Sequence, residues 1–135
     1  LFVAEFIGSP KMNLIAAEVV EASATGAAVK TAGGETLKVA VDAAGAKAGD
    51  KVTLGVRPEH LTTAGDGGAL KTTADFVETL GNATYAYVRH PGATETLTVQ
   101  LPGDVRPSAG DAMALHVAAD KAHLFDKDGM AFRRI

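Results

Sequence analysis

One pattern constrains this chain more than any other, and it occurs twice. Ala48-Gly49-Asp50-Lys51-Val52-Thr53-Leu54-Gly55-Val56 is matched 61 residues later by Ala109-Gly110-Asp111-Ala112-Met113-Ala114-Leu115-His116-Val117. In each copy a Gly-Asp pair sets a tight turn, and the alternation after it gives a strand with one buried face. Upstream, Val19-Val20-Glu21-Ala22 resembles Phe76-Val77-Glu78-Thr79 at a spacing of 57. Each half therefore reads as strand, hairpin, Gly-Asp turn and alternating strand. Two such units, neither able to bury its own apolar face, are expected to close one barrel together.

The rest of the pattern agrees. Candidate strands are Leu14–Glu21, Ala27–Thr31, Thr36–Val41, Lys51–Arg57, Leu70–Glu78, Thr84–His90, Thr94–Leu101, Ala112–Ala118 and Ala122–Phe125. Leu97, Val99 and Leu101 alternate with Thr96, Thr98 and Gln100, and Met113, Leu115 and Val117 alternate with Ala114 and His116. The turns between strands are Gly33-Gly34, Ala48-Gly49-Asp50, Asp66-Gly67-Gly68, Pro102-Gly103-Asp104 and Asp126-Lys127-Asp128-Gly129. Many short strands at this spacing indicate an all-β barrel or sandwich. Before them, Phe2, Val3, Phe6 and Ile7 follow helical spacing until Gly8-Ser9-Pro10 stops it, so Leu1–Ile7 reads as the tail of a helix. Leu1–Ala4 has no basic segment or cleavage site of a signal peptide and reads as the interior of something longer. The 135 residues suit one domain, but 26 are alanine, so its core is built from small side chains.

Several kinds of chemistry are excluded. The net charge is −3 with scattered basic residues, which does not suit nucleic acid or an anionic membrane. There is no cysteine, hence no disulfide or thiol chemistry. No Gly-Lys pair exists to build a phosphate loop, and no dinucleotide fingerprint opens a helix. His60, His90, His116 and His123 lack metal-ligand spacing and read as isolated surface or hydrogen-bonded residues, His116 on the outer face of its strand. Asp126-Lys127-Asp128-Gly129 has its glycine too early for a calcium loop and reads as a hairpin turn. Tyr85 and Tyr87 share one strand face. The densest polar cluster is Arg57-Pro58-Glu59-His60. Glu59 and His60 form a conceivable acid–base pair, but neighbours at a strand end point apart. A structural or interface role, with Pro58 ending the strand and Glu59 capping a turn or pairing with Arg57, is favoured.

These residues also resemble a known family. Phe2-Val3-Ala4-Glu5-Phe6-Ile7-Gly8-Ser9-Pro10-Lys11-Met12-Asn13 is similar to the junction between the nucleotide-binding and C-terminal regulatory domains in sugar-importer ABC ATPases of the maltose/glycerol-phosphate type. Leu54-Gly55-Val56-Arg57-Pro58-Glu59-His60-Leu61 resembles that regulatory domain's most recognisable motif. Val77-Glu78-Thr79-Leu80-Gly81 and His123-Leu124-Phe125-Asp126 follow in the expected order. The resemblance implies an OB-like barrel of the transport-associated type over residues 12–135, with residues 1–11 as helix end and linker. It marks Gly8, Ser9, Pro10, Met12, Asn13, Gly55, Arg57, Pro58, Glu59, His60, Glu78, Gly81, His123 and Phe125 as motif or interface candidates.

The resemblance further implies a parent that works as a cytoplasmic homodimer beneath two membrane-spanning subunits, sometimes receiving a regulatory protein. ATP and magnesium would bind in a nucleotide-binding domain preceding Leu1, and this stretch would hold neither cofactor nor catalytic residue. Two readings remain. One is a regulatory, dimer-stabilising domain of a carbohydrate importer. The other is an oxyanion-binding module related to molybdate-binding barrels, using backbone N–H groups at glycine turns with a nearby Arg or Lys.

Overall fold

The computed structural model describes residues 12–63 and 69–135. The expected helix Leu1–Ile7, the candidates Gly8, Ser9 and Pro10, and the turn Asp66-Gly67-Gly68 lie outside the described residues.

The first half contributes β1 (Asn13–Ser23), β2 (Gly26–Thr31), β3 (Thr36–Val39), the short β4 (Val41–Asp42) and β5 (Lys51–Val56). The second contributes β6 (Ala69–Leu80), β7 (Ala83–Arg89), β8 (Leu97–Pro102) and β9 (Ala112–His116), and β10 (His123–Phe125) and β11 (Arg133–Arg134) follow. The strand order is β5-β1-β2-β3 in one sheet and β9-β6-β7-β8 in the other, so the two halves have the same topology. β10 extends the first sheet beyond β5, and β11 pairs with β4. Every pairing is antiparallel. Alternation puts Ile15, Ala17 and Val19 of β1 and Leu97, Val99 and Leu101 of β8 into one shared core with Leu54, Leu70, Val88 and Leu115.

The repeat is visible bond for bond. Gly49 donates its N–H to the Val19 carbonyl at 2.8 Å, and Val19 donates to the Asp50 carbonyl at 2.9 Å. Gly110 donates to Ala74 at 2.7 Å, and Ala74 donates to Asp111 at 2.9 Å. Each Asp closes its own turn, Asp50 Oδ2 accepting the Lys47 N–H at 3.1 Å and Asp111 Oδ2 the Ser108 N–H at 2.9 Å. Gly49 and Gly110 adopt φ of +97° and +94°, a conformation that favours glycine. Both turns dock just before a bulge, at Val20 in β1 and Asp75 in β6, where the pairing register shifts. Aligned on the bulges, Val19 corresponds to Ala74. The spacing between the first strands is therefore 55, not the 57 that side-chain resemblance suggests.

Three differences from expectation go beyond one or two residues at a strand end. Thr36–Val41 divides at Ala40, whose N–H leaves the ladder for the Ala119 carbonyl at 2.9 Å. β8 starts at Leu97 rather than Thr94, because the chain after His90 turns on Pro91, with the Ala93 N–H on the His90 carbonyl at 3.0 Å. The two-residue β11 is too short to leave a periodic signal.

The halves are linked crosswise. After β5, Leu61 is fully buried, and Thr62 pairs with His116 at the end of β9. After β9, Ala122 is fully buried, and His123 pairs with Gly55 of β5. Each half thus lends the residue beyond its last strand to the other. The turns after β2 and β7 cross over as well. At the equivalent strand ends, Gly33 donates to Thr31 Oγ1 at 3.1 Å and Gly92 donates to His90 Nδ1 at 2.9 Å. The Gly92 carbonyl then accepts the Ala16 N–H of β1 at 2.8 Å.

At the corresponding place in β6 a side chain takes over. The Lys71 N–H donates to Glu35 Oε2 at 2.6 Å, and Thr31 Oγ1 donates to Glu35 Oε1. His90 Nδ1 accepts the Gly92 N–H, so Nε2 carries the ring proton and donates to Glu35 Oε2 at 3.1 Å. Thr31, Glu35 and His90 are all buried. Burial by itself raises the Glu35 pKa. The Lys71 N–H, the Thr31 hydroxyl and the Glu35 backbone N–H outweigh it, and the carboxyl sits below its ordinary 4.5.

Two outcomes follow. Gly49→Ala and Gly110→Ala forfeit only the positive-φ conformation, since an added Cβ meets nothing within 4 Å. Each is expected to cost about 1–2 kcal/mol in urea unfolding. Glu35→Gln replaces one acceptor oxygen with an NH2 donor facing a ring of donors and is expected to cost about 2–4 kcal/mol at neutral pH. Because the folded-state pKa is lowered, the carboxylate's contribution is complete above the ordinary value of 4.5 and is lost as pH falls through the lowered one. Urea titrations across pH should show the gap between wild type and Glu35→Gln narrowing only below that value.

Candidate functional site

The Arg57–His60 cluster is a connector in its local geometry. Pro58 has no N–H to continue the ladder, and Arg57 before it is extended, at φ −74° and ψ 149°. Pro58–His60 forms a single 3-10 turn, with the His60 N–H on the Arg57 carbonyl at 3.0 Å. Pro58 is buried while Glu59 is exposed. His60 is half-buried, and its Nδ1 is enclosed without a hydrogen-bond partner. The turn packs on β8 and delivers Leu61 to the core.

Tertiary structure adds His123 to this cluster by pairing β10 with β5. Burial, then the positive charges of Arg134 and Arg57 and finally His60, hold the His123 imidazole below its usual pKa. Arg134 is itself held by the carbonyls of Ala122 and Asp120. His116, expected on the outer face, is half-buried with its Nδ1 enclosed.

Met12, Gly55 and Phe125, far apart in sequence, meet at one point. A Cβ on Gly55 would lie 2.6 Å from Met12 Sδ and 2.8 Å from Phe125 Cε2, so only glycine lets these two side chains lie across β5. Asn13 is buried beside them. Its Nδ2 donates to the Thr98 carbonyl at 2.7 Å, and its Oδ1 accepts the Thr98 N–H at 2.9 Å. β8 is an edge strand, and this amide covers the backbone groups that the edge would otherwise leave unpaired.

Glu78 and Gly81 belong to a different surface, the β6–β7 hairpin. Gly81 takes φ +63° at the first of two loop residues, as a type II′ turn requires. Cross-strand pairing sets Phe76 beside Tyr87 and Glu78 beside Tyr85. The rings of Phe76 and Tyr87 stack with centroids 5.8 Å apart and planes 28° apart. The Tyr87 hydroxyl donates to Glu78 Oε1 at 2.8 Å, and this bond, then burial and the Glu78 charge, raises the phenol's pKa. Phe76 and Leu80 are 56% and 57% exposed, and Tyr85 and Tyr87 are half-buried. Phe76 and Leu80 were not singled out from sequence, although with Glu78 they occupy alternate positions; a bulge hides which face they take. The Glu35–His90–Thr31 group also left no sequence signal, because His90 lies 55 and 59 residues from Glu35 and Thr31.

Among the described residues no group of three or more His, Asp or Glu is placed to hold a metal ion. No helix among them is long and apolar enough to cross a membrane. The arrangement therefore presents a cross-braced barrel with one aromatic outer face.

Comparison with known proteins places this geometry. Residues 8–61 match the MalK OB fold domain and residues 54–125 match the TOBE domain. The maltose/maltodextrin import ATP-binding protein MalK of Vibrio vulnificus (strain YJ016) is 37% identical over 135 residues, covering 99% of this chain and 36% of that protein. The alpha-glucoside transport ATP-binding protein AglK of Rhizobium meliloti (strain 1021) is 38% identical over 136 residues, covering 98% of this chain and 37% of that protein. The chain thus spans little more than a third of the relatives it matches. In fold it is similar to the crystal structure of the cytoplasmic molybdate-binding protein ModG with molybdate bound. The TM-score is 0.65 at 18% identity, over 83% of this chain and 94% of that one. The second family match alone takes in more than half of the chain, running from β5 through the Arg57–His60 turn and the aromatic hairpin to β10, and the chain belongs to the TOBE domain family.

Proposed function

We propose that this chain is the regulatory, dimer-stabilising domain at the C-terminal end of the ATP-binding subunit of a carbohydrate-import ABC transporter. The observation that carries this reading is the match of 98–99% of the chain to sugar-import ATP-binding proteins. On this reading residues 1–11 join the barrel to a nucleotide-binding domain. That domain holds ATP and magnesium and engages two membrane-spanning subunits at the cytoplasmic face of the membrane. A partner protein that regulates uptake would act through the barrel.

The physical properties of the barrel support such a role. A domain that holds two ATPase subunits together as they open and close must resist shear between its own halves. The exchanged residues Thr62 and His123, the Asn13 amide on Thr98 and the Glu35 network all run from one half to the other. Gly55, Pro58 and Phe125 then act by keeping that frame in register, and Arg57, Glu59, His60 and His123 are the polar groups presented where the halves cross. Glu78 and Gly81 shape the separate hairpin surface.

Size-exclusion chromatography with light scattering of the parent ATPase, intact and lacking residues 12–135, tests the reading. Deletion is expected to weaken dimerisation at least about ten-fold, equivalent to 1.4 kcal/mol or more. The isolated chain should hydrolyse no ATP. Unchanged dimerisation after deletion would overturn the dimer-stabilising role.

A further inference from the structure

We infer that the outer face of β6 and β7 binds a carbohydrate, an α-linked glucoside, with Phe76 as the stacking platform and Glu78 with the two tyrosine hydroxyls as its polar partners. This rests on the sugar-importer reading above for the class of sugar, and on the structure for the site.

The bulge at Asp75 creates the platform. Before it, Leu70, Thr72 and Ala74 point inward. After it, Phe76 lies opposite Tyr87, Glu78 opposite Tyr85 and Leu80 opposite Ala83. The next strand sets Thr98 beside Tyr87 and Gln100 beside Tyr85. The fold does not require these side chains, because the other half supplies an internal control. Aligned on its own bulge, that half carries Glu21 and Ser23 on β1, with Ala28 and Gly26 opposite them on β2. The same topology is thus built there with no aromatic ring on its outer face.

The size and polarity of the face select its occupant. Phe76 and Leu80, each more than half exposed, with two half-buried tyrosines, present a few hundred Å² of apolar surface. A stable protein interface needs about 800 Å² per partner, so a second copy of this chain would be held poorly by this face alone. One or two pyranose rings match it in area. An apolar partner would also strand the Glu78 carboxylate, which uses Oε1 for the Tyr87 hydroxyl and has acceptor capacity left. A sugar supplies both an apolar C–H face for Phe76 and hydroxyl donors for Glu78 and Gln100. Exposed faces of OB-type barrels are suited to oligosaccharides on the same grounds.

The chain provides its own reporter. It has no tryptophan, and its two tyrosines, Tyr85 and Tyr87, both lie on this face. Titrating the 135-residue chain with maltotriose is expected to change tyrosine fluorescence saturably, with half-saturation at about 1 mM or below. Phe76→Ala should weaken the response at least ten-fold, and Phe76→Tyr should retain it. Thermal melts of both variants check that folding is intact. No saturable change up to about 100 mM would overturn the proposal, as would an equal response in Phe76→Ala. An equal response to the β-linked cellobiose would overturn the α-glucoside assignment. Self-association of the chain abolished by Phe76→Ala, without a sugar response, would replace the sugar by a second copy. Measuring ATP hydrolysis and dimerisation of the parent separately shows whether the importer reading has failed instead.

Discussion

The seating of a Gly-Asp turn on the first strand of each half is the contact on which the rest of this molecule depends. In both halves a glycine with positive φ donates its N–H to a strand carbonyl, and that strand residue donates back to the aspartate carbonyl. The contact does two things at once. It starts the last strand of the half in the register that turns Val52, Leu54 and Val56, or Met113 and Leu115, inward. It also abuts the bulge after which the first strand presents the other face. Without the first effect there is no buried side on β5 or β9, and without the second the outer residues of β6 would not be Phe76, Glu78 and Leu80.

A barrel made of two small half-cores needs more than side-by-side packing, because alanine-rich strands bury little area each. The crosswise connections compensate. Thr62 completes the edge of β9 and His123 that of β5, so the halves cannot separate without breaking backbone pairing in both sheets. Glu35 departs from the symmetry. Where Ala16 finds a backbone carbonyl, Lys71 finds a carboxylate, and that carboxylate gathers Thr31 and His90 from the paired turns. A buried carboxylate is tolerated there because donors surround it. The result is a polar joint in the seam between the halves.

This construction separates support from display. Met12, Gly55, Phe125 and Asn13, candidates by resemblance, have their side chains or backbones spent on packing and on covering the β8 edge. Side chains open to solvent lie elsewhere, among them Glu59 at the crossing turn and Phe76 and Leu80 on the hairpin. In a TOBE domain such a division is physically sensible. The packed frame sets the backbone geometry, and side chains such as Phe76 and Leu80 stay exposed on it.

Fold class was legible because it is written in local periods. Strands such as β8 and β9 alternate with period 2, glycines stand where φ must be positive, and the spacing of 61 between the Gly-Asp turns is an arithmetic fact of the chain. Pro58 likewise announced the end of β5 by lacking a donor. What the sequence could not decide is everything that depends on long-range register. The bulges at Val20 and Asp75 moved the first-strand spacing from 57 to 55 and chose the exposed face of β6. Glu35, Thr31 and His90 looked like ordinary loop and strand-end residues until the crossing turns brought them together. The sequence by itself determined two alternating half-units with Gly-Asp turns, since side-chain direction along a strand is a local property of the backbone. Only the tertiary structure decided which residues meet across the barrel, since that follows from closing two sheets on one core.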